Sequence, residues 1–220
     1  MCCKDKSLVP SKVVNTWKKL NPDYDVHLYD DKECYDFINT QFGLNYAEFF
    51  KDIPSGPIKA DFWRLCVLFI NGGVYADIDL EPLVPLSEII AEDACFCTVL
   101  NFQANQIFQA FIFSTKHNAI LKLCIDFMYS LKNKPFDYWQ FSGTFHMFLV
   151  LKLLLTSHTD SKLLAGTYSS SLFNGSIQLL QECAGPNGWK DCKVMRENKH
   201  IFNSRYQDYD PDNHCFIINS

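Results

Sequence analysis

Between Asp61 and Asp79 the chain carries three carboxylates and one guanidinium whose spacing suits cation and anion chemistry. Asp77 and Asp79 stand two apart in an alternating stretch. Val74, Ala76, Ile78 and Leu80 are apolar there, and Tyr75, Asp77, Asp79 and Glu81 are polar. Read as one strand, the pattern sends both carboxylates to the same face. Neighbouring anions repel, and burial raises their pKa values unless something neutralises them. A hard divalent cation, Mn²⁺ or Mg²⁺, meets that need through oxygen ligands and keeps positions open for diphosphate oxygens. Such an ion stabilises charge gathering on a leaving diphosphate.

Asp61 and Arg64 are three apart on a helical stretch, so they share a face. Arg64 keeps its charge and offers a rigid fork of donors. Asp61 accepts hydrogen bonds from vicinal hydroxyls, or orients Arg64. Side by side they suit a sugar clamp. Taken singly, the Asp-X-Asp reads as a solvated turn, Asp61 and Arg64 as a surface ion pair, and Tyr75 as a strand aromatic. Their joint arrangement carries the functional reading.

The elements that must position these groups follow from local signals. Pro57 suits a first helical turn, and Ile58, Phe62, Leu65, Cys66 and Phe69 keep the helical period. Asn71-Gly72-Gly73 ends that helix, because glycine takes left-handed backbone at little steric cost. The turn is expected to fold the helix back beside the acidic strand, with both pairs facing one cleft. Upstream, residues 11–20 read as a helix after Pro10, and "YDVHLYD" reads as a short strand. Asp30-Asp31 caps a second helix holding Cys34, Phe37 and Ile38. "FFKDIPSGP" reads as a turn-rich connection. Downstream, "ACFCTVL" and "QIFQAFIF" read as strands, residues 119–131 as a helix, and "FSGTFHMFLVLKLLL" as a loop entering a helix. From about Ala165 the chain reads as loop-rich. Strands alternating with helices imply an α/β fold with a mostly parallel sheet.

The 220 residues favour one domain, residues 1–220, with residues 165–220 as its loop-rich C-terminal part. A net charge of -5, with scattered lysines, argues against a nucleic-acid partner. The longest apolar run, "FHMFLVLKLLL", falls short of a transmembrane segment and contains Lys152. With no targeting signal, a cytoplasmic location is expected, or the Golgi lumen if an N-terminal anchor precedes Met1. The ten cysteines show no paired metal spacing; a disulfide among Cys183, Cys192 and Cys215 is left open. His27, His117 and His146 read as structural or surface histidines, and Trp17 and Trp63 as packing. Trp139 precedes the loop Ser142-Gly143-Thr144, where an acceptor or diphosphate contact is conceivable.

The run Asp61-x-x-Arg64, then Gly72-Gly73-Val74-Tyr75-x-Asp77-x-Asp79, resembles the DXD sugar-binding region of glycosyltransferase family thirty-two. "TWKKLNPDYDVHLYDD" resembles the segment after that family's first strand, so the likeness spans residues 12–86. "FQAFIFSTKHNAIL" and "FSGTF" resemble later segments more loosely. The resemblance implies a GT-A fold, Rossmann-like with flanking helices, and a metal-dependent hexosyltransferase that retains anomeric configuration. Its partners would be a nucleoside-diphosphate sugar donor and a glycan, lipid or protein acceptor. It implies that Asp61 and Arg64 hold sugar hydroxyls and that Gly73 and Tyr75 line the nucleotide pocket. Asp77 would bridge ribose and metal, Asp79 would bind the Mn²⁺ or Mg²⁺ directly, and Gln109 would face the sugar. His214 and Ser220 stand near the family's closing diphosphate contacts, without its Trp. The first strand, with its His-Gln-x-Trp-like end, is not found, so a domain incomplete at both ends is expected.

Two competing functions are weighed against this one. A non-catalytic domain of the same fold would bind nucleotide or glycan without transfer. A phosphohydrolase using the Asp-X-Asp pair would want Thr or Val where Glu81 stands.

Overall fold

The computed structural model describes residues 1, 6, 9, 11–156, 162–169, 173–186, 188–204, 209–210 and 215–216. Pro10, His214 and Ser220 lie outside them, and so does the side chain of Cys215.

Helices pack against both sides of a sheet, the first on one side and the next three on the other. Helix α1 (Ser11–Leu20) buries Val13 and Trp17. Helix α2 (Asp31–Phe42) begins at a capping box, in which Asp30 accepts from the Glu33 amide and Glu33 reaches back to the Asp30 amide. Where a turn-rich connection was expected, α3 (Leu44–Asp52) forms and buries Ala47, Phe49 and Phe50. Gly43 precedes it without any side-chain cap, so packing rather than a local start signal makes this helix.

Helix α4 (Gly56–Asn71) matches its predicted bounds. Residues 61 to 66 are all buried, polar members included. It is covered on several sides at once, by α2, α3, α6, α8 and the sheet. Gly72 (φ 65°) and Gly73 (φ 89°) end it, and the Gly72 amide donates to the Leu68 carbonyl at 2.8 Å.

The alternating stretch that follows is not one strand. It divides into β1 (Gly73–Ala76) and β2 (Leu80–Pro82), with residues 77–79 as a turn closed by Leu80 N–H to Asp77 O at 3.1 Å. The two strands serve different partners, which is why the alternation breaks. β1 pairs with β4 (Ile107–Ser114), and β2 with β8 (Lys199–Ser204). Between them come α5 (Leu86–Ile89) and β3 (Ala94–Leu100). After β4 follow α6 (Ala119–Ser130), α7 (Tyr138–Phe141) and α8 (Gly143–Leu155).

The described residues between 166 and 204 are strand-rich rather than loop-rich. They supply β5 (Gly166–Ser169), β6 (Ser176–Gly185), β7 (Gly188–Arg196) and β8. Strands β9 (Tyr209–Asp210) and β10 (Cys215–Phe216) pair separately. The main sheet runs β1-β4-β3-β6-β7-β8-β2, with β5 alongside β6. Only the β3–β6 ladder is parallel among those described; the rest are antiparallel. This corrects the mostly parallel expectation. β3 to β4, β6 to β7 and β7 to β8 are joined by short links, and a short link can only return the chain antiparallel. "YDVHLYD" likewise forms no ladder: Tyr29 makes one bridge, donating to the Met1 carbonyl at 3.1 Å.

The sheet separates two cores. Phe62, Leu65, Ile112 and Met147 belong to the core on the α4 side, and Trp17, Leu80, Phe111 and Phe202 to the other. β3 is buried along its whole length, as a central strand covered on both faces should be. Cys183 is an exposed free thiol, and Cys192 is buried beside Glu182. Among the described residues no helix is long and apolar enough to cross a membrane.

Candidate active site

Helix α4 delivers Asp61 and Arg64 from within the core, each only 5% exposed. They are therefore not the surface ion pair of the bland reading. Arg64 is clamped on several sides. Its Nε donates to the Ala60 carbonyl at 3.1 Å, and its Nη1 to the Gln109 carbonyl at 2.7 Å. Nη2 lies 3.5 Å from Asp61 Oδ1 and 3.3 Å from Asp77 Oδ1. The guanidinium sits 4.6 Å from the centre of the Tyr75 ring, within cation–π range.

One cation thus serves two carboxylates. Burying that excess of negative charge is costly, and Asp61 records the cost. Burial pushes its carboxyl up to about 6, against the pull of Arg64 and of a backbone hydrogen bond, with Asp77 adding a further push upward. That bond comes from Gly143 N–H to Asp61 Oδ2 at 3.0 Å.

Asp77 leaves the end of β1. Its amide is tied to the Ala110 carbonyl at 2.9 Å, and its Oδ1 accepts from the Tyr75 hydroxyl at 2.7 Å. The carboxylate is 30% exposed, so it meets both the buried cluster and the solvent side. Asp79, half-buried two residues on, belongs to the turn rather than to a strand face. Strand parity therefore does not set where the two carboxylates point; the turn at residues 77–79 does. Glu81 is half-buried within β2.

Among the described residues no three His, Cys, Asp or Glu side chains converge as a metal-binding group. Two carboxylates next to a solvent-facing edge do fit a hard cation that draws its remaining ligands from water and a phosphorylated substrate.

Tyr75 also lines a groove beside β1, with Gly73, Val74, Val67, Leu68 and Trp17. Asp61, Arg64 and Asp77 do not line it; Tyr75, itself 2% exposed, is the residue shared by groove and charged cluster. Gln109, on β4, is 2% exposed, and its amide Nε2 donates to the Gly143 carbonyl at 2.8 Å. The sequence linked the Ser142-Gly143-Thr144 loop to acceptor or diphosphate. The structure places Gly143 against Asp61, a partner that sequence reasoning missed. The small residues before an apolar helix were its one visible signal. Trp139 stands apart at 65% exposed. His27 and His117 make ring contacts with Tyr29 and Phe69, and His146 stacks against Phe127.

Comparison with known proteins covers the segment that contributes Asp61, Arg64 and Asp77. Residues 9–96 match the family model described as a glycosyltransferase sugar-binding region containing a DXD motif. The initiation-specific alpha-1,6-mannosyltransferase of Candida albicans is 38% identical over 82 residues, which is 36% of this chain and 21% of that protein. The enzyme of the same name from Schizosaccharomyces pombe is 29% identical over 86 residues, 37% of this chain and 22% of that protein. The likeness thus spans about a fifth of each relative's length. Among solved structures, the PaToxG glycosyltransferase superposes with a TM-score of 0.55 at 15% identity, covering 69% of this chain and 64% of that one. The chain has a GT-A-like mixed α/β fold, and its resemblance to glycosyltransferase family thirty-two holds for the segment that carries Asp61, Arg64, Asp77 and Asp79.

Proposed function

From a chain whose residues 9–96 match a DXD-type sugar-binding region, we propose a glycosyltransferase that moves a hexose from a nucleoside-diphosphate sugar to a glycan, lipid or protein acceptor, with retention of configuration. The observation that carries this reading is the buried Arg64 shared between Asp61 and Asp77 and stacked on Tyr75. A guanidinium locked in that way is an oriented donor array that costs no reorganisation when a sugar arrives.

In this reading Asp61 and Arg64 hold the sugar hydroxyls, and Tyr75 presents the groove beside β1 to the nucleoside. Asp79, with Asp77, would hold Mn²⁺ or Mg²⁺. The cation would neutralise the leaving diphosphate when bound. Asp77 Oδ1 is engaged by Tyr75 and Arg64, which leaves it poorly disposed to act as the nucleophile of a phosphohydrolase.

The test is calorimetry with UDP- and GDP-sugars, with and without Mn²⁺, followed by a transfer assay. Because the similar proteins are named mannosyltransferases, a mannose donor heads the panel. Asp79→Ala is expected to abolish cation-dependent binding while the chain stays folded. Undiminished Mn²⁺-dependent binding in that variant counts against the assignment. Donor binding without transfer to any acceptor would favour a non-catalytic domain.

A further inference from the structure

We propose that Gln109 is a positioning residue for the sugar clamp, acting through Gly143 on Asp61 rather than by touching the donor. The inference rests on the function proposed above and adds a role to it.

Four contacts close a ring. Arg64 Nη1 donates to the Gln109 carbonyl (2.7 Å), and Gln109 Nε2 donates to the Gly143 carbonyl (2.8 Å). Gly143 N–H donates to Asp61 Oδ2 (3.0 Å), and Asp61 Oδ1 returns to Arg64 Nη2 (3.5 Å). The ring joins α4, β4 and the start of α8, across sequence separations of 45, 34 and 82 residues.

Gln109 stands near the start of β4 and is 2% exposed, so its amide is buried along with the cluster it braces. Its orientation follows from chemistry. Turning the amide over would set Oε1 against the Gly143 carbonyl oxygen and forfeit its donor bond. Oε1 has no hydrogen-bond partner among the described residues. The side chain is therefore held from its donor end.

Gly143 transmits the constraint because it leaves no slack. A Cβ there would stand 2.8 Å from Asp61 Cβ, 3.1 Å from Gln109 Oε1 and 3.2 Å from Asp61 Cγ. Any drift of this residue displaces the carboxylate. The Gln109 Nε2 donor on the Gly143 carbonyl thus restrains the residue whose N–H meets Asp61 Oδ2.

The experiment uses Gln109→Met, which keeps the side-chain volume and leaves the backbone carbonyl for Arg64. Gly143→Ala and the double variant complete a cycle. Affinity is measured for an intact sugar nucleotide and for its bare nucleoside diphosphate, both with Mn²⁺. Gln109→Met should weaken the sugar nucleotide about tenfold, the scale of one lost hydrogen bond, and change the bare diphosphate by less than about twofold. The double variant should be no weaker than the worse single one, since an alanine Cβ 2.8 Å from Asp61 Cβ already displaces the carboxylate that Gln109 acts on. Independently of any ligand, the Gly143 amide should exchange its proton about tenfold faster in Gln109→Met, as an opened hydrogen bond allows.

Equal losses for both ligands, or additive losses in the double variant, would overturn the positioning role. So would unchanged exchange at Gly143, whatever binds. If the unmodified chain binds no sugar nucleotide, the sugar-clamp reading falls and this role falls with it. If the unmodified chain binds and Gln109→Met matches it, the positioning role alone falls.

Discussion

Arg64 balances Asp61 and Asp77 with a single charge, and the shortfall lands on Asp61 because it is the more deeply buried of the two. Its folded-state pKa of about 6 lies above the ordinary 3.8. The folded protein therefore holds that proton more tightly than the unfolded chain does. The stabilisation this provides is complete below 3.8 and is lost as pH rises through about 6. Asp61→Asn removes the titrating group. In urea melts without divalent cation, the variant should lose less stability than the parent between pH 4 and pH 7, by on the order of 3 kcal/mol. Parallel stability curves for the two proteins would show that Asp61 pays no such penalty. At this scale the residue types were legible, since carboxylates beside a guanidinium announce themselves in a sequence. Gly143 was not legible, because no chain-local pattern reports a neighbour 82 residues away.

Helix ends were readable at Asp30 and at Gly72 with Gly73, whereas the short α7 went unread although Asp137 caps it. Gly72 combines φ of +65° with a tight surrounding: a Cβ would stand 3.0 Å from the Lys116 amide nitrogen and 3.1 Å from the Ser114 carbonyl oxygen. Gly72→Ala is expected to lower stability by at least about 1 kcal/mol, visible as a lower melting temperature. Gly73 has open space at its Cβ position, so its alanine variant should cost only the backbone strain at φ +89° and fall by less. Equal losses at the two glycines would contradict the close approach at Gly72. Helix α3 escaped notice because Gly43 starts it uncapped and its apolar residues run into Pro54-Ser55-Gly56. The division of β1 from β2 escaped because alternation continues straight through the turn.

Across the whole molecule, β1 and β2 stand at opposite ends of the strand order yet are joined by three residues. Ala76 and Leu80 are therefore no more than about 14 Å apart, so the sheet must curl until its ends approach each other. Asp77 and Asp79 occupy that closing turn, and the far end of the sheet helps to hold it. Phe202 on β8 is fully buried, with its ring 4.6 Å from Phe111 and 6.0 Å from Trp17. Trp17 in turn donates its indole N–H to the Leu80 carbonyl at 2.8 Å. Phe202→Ala should cost about 3–5 kcal/mol. If the variant stays folded, Mn²⁺-dependent nucleotide binding should weaken, because β2 no longer fixes the turn. A folded Phe202→Ala chain with parental binding would uncouple the sheet's closure from the site.

The order of residues along the chain determined on its own the helix around Asp61 and Arg64 and its glycine stop. Each depends on neighbours within a few positions, where period and turn chemistry act. Strand direction, the turn at residues 77–79, and the closure of Gln109 and Gly143 on Asp61 were decided only by tertiary structure. Those features depend on which distant segments share one buried space, and desolvation acts on that shared space rather than on sequence distance.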